Sequence, residues 1–116
     1  MQFKLILALV TDDRSARIVE AARGAGATGV TIITGARGEG LTPHKTFFGL
    51  DLLGPCDVVA IVAEQHLAPA ILNAIAAAGE LDTVPGAGIA IQLPIEATAG
   101  LATQIKALQA MVRETE

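Results

Sequence analysis

Apolar residues along the chain fall into short dense runs separated by polar or glycine-rich breaks, and the runs carry two periods. Phe3–Val10 (FKLILALV), Val30–Thr34, Val58–Ala63 and Ile89–Leu93 are short and rich in aliphatic or β-branched residues, which predicts strands. Ser15–Arg23 repeats Ile18, Val19 and Ala22 on one helical face, and Leu67–Ala78 repeats Leu67, Ile71, Leu72 and Ile75. Both patterns predict amphipathic helices. Asp12 and Asp13 stand where a carboxylate can accept from the first free N–H groups of the first helix, and glycines 24, 26 and 29 stop it. Pro69 is tolerable only in the first turn of the second helix, which Gly79 ends. Thr98–Arg113 sets Leu101, Ile105, Leu108 and Val112 in register for a third helix.

The order is strand–helix–strand, a long loop, strand–helix–strand, then a helix. That is an α+β, ferredoxin-like βαββαβ arrangement, with two helices on one face of a four-stranded antiparallel sheet. A sheet with one wet face should alternate apolar and polar residues, and these strands do not. In the first, Phe3, Leu5, Leu7 and Leu9 face one way, while Ile6, Ala8 and Val10 face the other with Lys4 the only polar residue among them. The third strand is apolar on both faces, and the fourth has only Gln92. The second face therefore needs cover, and oligomerisation through it is the simplest answer.

Composition narrows the class. The 116 residues suit a single domain spanning 1–116, and 52% hydrophobic against 17% charged residues argues against disorder. A formal charge of −4, with three Phe and no Trp or Tyr, gives neither the basic footprint nor the stacking rings of a nucleic-acid binder. One cysteine excludes a disulfide framework and a multi-cysteine metal site. FKLILALV runs into TDDRS with no cleavage site, and no apolar run approaches the roughly 20 residues of a membrane span. The expectation is a soluble cytoplasmic protein.

His44, Cys56, Asp57 and His66 are the candidates for nucleophilic or metal chemistry. A cysteine nucleophile needs a base within hydrogen-bond reach and a stabilised thiolate, and no motif surrounds Cys56 or either histidine. A packed thiol, a loop His44 open to ligand or partner and a solvent-facing His66 are the plainer readings, and no metal site is expected. Two glycine-rich turns carry more. In PGAGI (Pro85–Ile89), Gly86 and Gly88 let backbone N–H groups approach an anion, or serve only as a turn before a strand. In GARGEG (Gly35–Gly40), Arg37 is a candidate phosphate partner or a solvated charge. The loop from Gly35 to Pro55 is far longer than a hairpin needs, and its Phe47-Phe48 pair could anchor a partner or fold back on the core.

On these features residues 3–101 resemble the P-II signalling superfamily, and more closely its PII-like branch than the nitrogen-regulatory proteins themselves. The resemblance rests on the element order, on G29-V-T-I-I-T-G before the long loop, and on P-G-A-G before the fourth strand. It implies a homotrimer with the sheets lining the centre and adenine nucleotides bound in the clefts between subunits. It also implies a T-loop at about 35–55, a B-loop at about 79–88 and a C-terminal segment at 94–116. Carried over by position, the nucleotide site would use Thr31 beside the adenine and would also include Val62. Gly86, Ala87 and Gly88 would face the phosphates, with Arg37 and Gly38 at the loop base. The effector would be AMP, ADP, ATP or cyclic AMP, with magnesium arriving only alongside a nucleotide.

The chain departs from that pattern in three places. Ile89 stands where nitrogen-regulatory P-II has a B-loop lysine, EATAGL replaces a segment with two arginines, and there is no loop tyrosine to modify. A triphosphate would lose most of its charge-assisted hydrogen bonds, each worth about 1.5–3 kcal/mol. The resulting expectation is a non-enzymatic regulator, without catalytic residues, acting through Gly35–Pro55 on a partner protein. In PII-like relatives that partner is often a membrane transporter. The rivals are a small cysteine-dependent hydrolase or transferase using Cys56 and His44, and a structural trimer without ligand.

Overall fold

The computed structural model describes residues 2–36 and 55–101 and, beyond them, only residues 103, 106 and 110. The elements are β1 (Phe3–Thr11), α1 (Ser15–Gly24), β2 (Thr31–Ala36), β3 (Cys56–Glu64), α2 (Ala68–Gly79) and β4 (Gly88–Pro94). The strands form one antiparallel sheet in the order β2-β3-β1-β4, the α+β arrangement expected. Each boundary of these six elements falls within two residues of its expected place. Gly35, at φ +72, carries β2 on to Ala36 through a register irregularity between Ile33 and Ala36.

Alternate residues of the central strands build the core. Ile6, Ala8 and Val10 of β1 and Val59 and Ile61 of β3 turn toward the helices, where they meet Ile18 and Ala22 of α1 and Ile71 and Ile75 of α2. All nine are at most 1% exposed. The helices also approach each other closely at Gly79, where an added Cβ would lie 2.9 Å from Ile18 Cδ1. A larger residue there would displace the ends of the Ile18 and Leu81 side chains.

The opposite face is apolar as well. Leu5, Leu7 and Leu9 of β1 stand level with Val62, Ala60 and Val58 of β3 and with Leu93, Ile91 and Ile89 of β4. Both described helices belong to the other face, and Ile33, Val62 and Leu93 are left 55%, 43% and 39% exposed.

Two expectations about helix ends need correction. Asp12 and Asp13 do not cap α1: its N-cap residue is Arg14, with no side-chain cap, and both aspartates are exposed. The carboxylate beside the start of α1 is instead that of Asp57 from β3, which accepts from Ser15 Oγ at 2.6 Å. An anion there suits the positive end of the helix dipole. The third helix does not begin at Thr98, since residues 98–101 are not helical and Gly100 takes φ +90; residues 103, 106 and 110 are helical.

Two substitutions test this backbone. A Cβ on Gly88, at φ +146, would lie 2.3 Å from the Leu9 carbonyl oxygen and 2.8 Å from Val10 Cα. Gly88→Ala is expected to destabilise by about 2–4 kcal/mol in urea unfolding, since strain and a backbone clash combine. Glu80 closes α2 in left-handed conformation at φ 56. Glu80→Gly is expected to raise stability by up to about 1 kcal/mol, because only the residue's backbone strain and one exposed ion pair are lost.

Candidate ligand-binding site

The glycine-rich turn is assembled from the end of α2. After Gly79 the chain turns through Glu80, with Leu81 N–H donating to the Ala76 carbonyl and Val84 N–H to the Glu80 carbonyl. Ala87 N–H then donates to the Val84 carbonyl at 3.2 Å, with Gly86 at φ +77 and Gly88 at φ +146 on either side. Both angles lie where a side chain is disfavoured, so glycine is required by the path itself. Ala87 is buried at 1% exposure, and its carbonyl accepts from Thr11 N–H at 3.2 Å. Gly86, Ala87 and Gly88 are thereby held at the C-terminal end of β1.

Arg14, half-buried at the start of α1, braces this turn. Its Nε donates to the Gly79 carbonyl at 3.0 Å and its Nη1 to Thr11 Oγ1 at 2.9 Å. A guanidinium on the last carbonyls of α2 also suits the negative end of that helix. Arg17, a turn further on, reaches Glu80 at 3.6 Å across open surface. Asp13 lies 3.6 Å from Arg14, and its carboxyl is held below its ordinary value, first by a hydrogen bond from the Thr11 hydroxyl and then by the Arg14 charge.

The end of the sheet that carries Gly86–Gly88 also carries Ala36, paired with Cys56 on β3. Ala36 and Gly88 are three strands apart, roughly 14–15 Å. Arg37 and Gly38 lie outside the described residues, as does the rest of the expected T-loop to Gly54, including His44 and Phe47-Phe48. Thr31 and Val62 belong elsewhere. Thr31 faces Ala60 and Val62 faces Leu5, so the two are diagonal neighbours on the open face. Val10 is the partner of Gly88 on β1, five residues from Leu5. Gly88 and Val62 are therefore separated by about 17 Å along the sheet. Within one protomer the expected site residues form two groups.

Among the described residues, hollows lie beside Gly88 and beside Phe3. One, about 230 Å³, lies beside Gly88 and Ile89, with Leu72 and Leu81 on its apolar side and Asn73 and Asp82 on its polar side. The other, about 410 Å³, lies between Phe3 and residues 95–98, with Glu96 as its charged side chain.

Cys56 is 2% exposed at the start of β3. Burial pushes its thiol up, and the carboxylates of Asp12 and Asp57 push it further, the opposite of what a nucleophile needs. His66 lies beyond the far end of the nine-residue β3, roughly 30 Å away. It is exposed there, its backbone N–H and its Nδ1 against the Glu64 carboxylate at 2.8 and 2.6 Å. Among the described residues no group of three His, Cys, Asp or Glu could hold a metal ion, and no helix is long and apolar enough to cross a membrane.

Arg14 and Ser15 escaped the sequence reading. The local partners of Arg14, Thr11 and Asp13, do not reveal the contact that braces the turn, since that acceptor, the Gly79 carbonyl, is 65 residues away. Asp57 was singled out for chemistry, and its contact is with the Ser15 hydroxyl.

The fold is that of ferredoxin-like signalling proteins with a glycine-rich turn ahead of the last strand. The family model for nitrogen regulatory protein P-II matches residues 3–103, and the chain belongs to that family of signalling regulators. Among solved structures, the chain is similar to Arabidopsis thaliana PII bound to citrate, at 22% identity and a TM-score of 0.60, over 81% of this chain and 78% of that one. It is also similar to CPII bound to ADP, AMP and acetate from Thiomonas intermedia K12, at 12% identity and a TM-score of 0.62, over 86% and 92%. No curated protein sequence matches the chain.

The buried, raised Cys56 thiol gives a direct test. At pH 8, alkylation by iodoacetamide followed by mass spectrometry should run at least about tenfold slower in the folded protein than in urea, since both access and thiolate fraction are reduced.

Proposed function

We propose that this chain is a non-enzymatic sensor of the P-II type. It forms a homotrimer, binds an adenine nucleotide in clefts between subunits, and passes that state to a partner protein through residues 35–55. The observation that carries the reading is the placement of Gly86–Gly88. They stand at the sheet end from which that loop departs, pinned by Thr11 and braced by Arg14.

The open sheet face supports the trimer. Nine aliphatic side chains on three strands want cover, and other copies of the chain provide it without a further component. The outer edges of β2 and β4, TIITGA and GIAIQLP, carry no charge. Unpaired edges are usually blunted by charge or covered, and a head-to-tail ring covers them. The distance between Gly88 and Val62 favours a site completed by the neighbouring subunit, with Thr31 and Val62 on the adenine side. Gly86, Ala87, Gly88, Arg37 and Gly38 then take the phosphates.

Similar proteins hold ADP and AMP in one case and citrate in another, which supports a small anionic effector. AMP or ADP is favoured over ATP, because Ile89 and the segment EATAGL supply no cation for a γ-phosphate. Cyclic AMP belongs to the same test set. The partner fits a membrane transporter met from the cytoplasmic side.

Calorimetric titration with AMP, ADP, ATP and cyclic AMP, with and without bicarbonate or 2-oxoglutarate, tests the sensor. ADP or AMP should bind below millimolar; if no nucleotide does, the reading fails and a ligand-free trimer takes its place. Sedimentation should give a trimer, dispersed by Ile91→Asp on the open face; a monomeric wild type would sink the assembly.

A further inference from the structure

The turn between β1 and α1, Thr11–Ser15, holds three parts of the molecule at once. Its consecutive amides reach in two directions: Thr11 N–H donates to the Ala87 carbonyl at 3.2 Å, and Asp12 N–H to the Pro55 carbonyl at 3.1 Å. Arg14 adds the end of α2 through the Gly79 carbonyl at 3.0 Å. The glycine-rich turn and the segment leading into β3 are thus tied to neighbouring peptide units. Only the φ and ψ of Thr11, a strand residue paired with Cys56, lie between the two donors, so little of a displacement of Ala87 is lost before it reaches Asp12.

The joint on the β3 side is unusual. Ser15 Oγ lies 2.6 Å from Asp57 Oδ2 and 3.0 Å from the Asp12 carbonyl oxygen. A serine hydroxyl has one proton to donate, and both neighbours are acceptors, so only one is served well at a time. Ser15 and Asp57 are buried, at 9% and 6% exposure, where the choice is not blurred by water. The shorter distance aims the hydroxyl proton at Asp57 in this arrangement. Rotation of the hydroxyl toward Asp12 would tighten the turn on itself and release β3.

We propose that the Ser15 hydroxyl is a two-position joint, through which movement of the glycine-rich turn at Gly86–Gly88 reaches the start of β3 at Pro55–Asp57. Ser15 and Asp57 are positioning residues in this role, since neither need touch a ligand. The joint is a property of the protomer. Only its use as a relay for nucleotide binding rests on the function proposed above.

Cys56, between the two anchored residues, reports on the joint through its alkylation rate, which follows local opening. Gly86→Ala perturbs the turn directly, since Gly86 stands at φ +77. Without ligand, this substitution should speed Cys56 alkylation more than about threefold when Ser15 is present. The same substitution should change it by less than about twofold, the usual error of additivity, when combined with Ser15→Ala. Ser15→Thr, which keeps a hydroxyl, should restore the response. Asp57→Asn, which removes the anionic acceptor, should abolish it and serves as the second background if Ser15→Ala does not fold. Equal acceleration by Gly86→Ala in every folded background overturns the proposal. In a parallel arm, ADP should slow Cys56 alkylation in the wild type but not in Ser15→Ala, with calorimetry showing binding in both. Absence of ADP binding to the wild type would count against the nucleotide reading alone, while the ligand-free cycle still decides the joint.

Discussion

Strand β1 is hydrogen-bonded along both edges, to β3 over all nine of its residues and to β4 from Lys4 to Val10. Every other placement follows from that double pairing. It sets Ile6, Ala8 and Val10 under the helices, brings Gly88 against Leu9 and Val10, and carries the TDDRS turn off the end where β3 begins and β4 starts. The close approach at Gly88 shows how tight the constraint is. No side chain fits there without moving the backbone of the strand on which the sheet is centred.

That end of the sheet is polar in detail while the rest is aliphatic. Thr11, Arg14, Ser15 and Asp57 exchange hydrogen bonds with one another or with the backbone of the glycine-rich turn and α2, and among the described residues no buried side-chain donor or acceptor is left unsatisfied. A fully satisfied buried network of this kind rigidifies and specifies its surroundings. At the opposite end of β3, Gln65 N–H donates to the Gln2 carbonyl at 2.9 Å, and Glu64 and His66 pair with each other at the surface.

Much of this was legible in the residues. Short aliphatic runs and 3.6-residue patterns located six elements, because burial in strands and helices leaves those periods. The doubly apolar character of Phe3–Val10 foretold a second face in need of cover. Local reasoning placed the start of α1 at Ser15 but mistook its cap, since Asp12 and Asp13 do not cap it. The anion beside α1 comes from Asp57, which is 42 residues away from Ser15, and only the register of β1 against β3 makes them neighbours. Thr31 and Val62 carry nothing in their own surroundings that marks them as a site; resemblance alone proposed them. Their separation from Gly88 is a property of strand pairing that no single run of residues contains.

The central position of β1 has a consequence for how the protein is made. The strand that emerges first from the ribosome has both its partners encoded far downstream, in residues 56–64 and 88–94. At roughly 5–20 residues per second, synthesis leaves FKLILALV without either neighbour for several seconds. It is a flat run with one lysine and no proline, the kind of segment that associates with others of its sort. The first helix can form early and shield one side, but both edges of the strand stay unpaired until β3 and β4 have been made. The yield of active protein in a cell should therefore depend on holding chaperones and on translation speed through the middle of the message, more than on the stability of the finished fold.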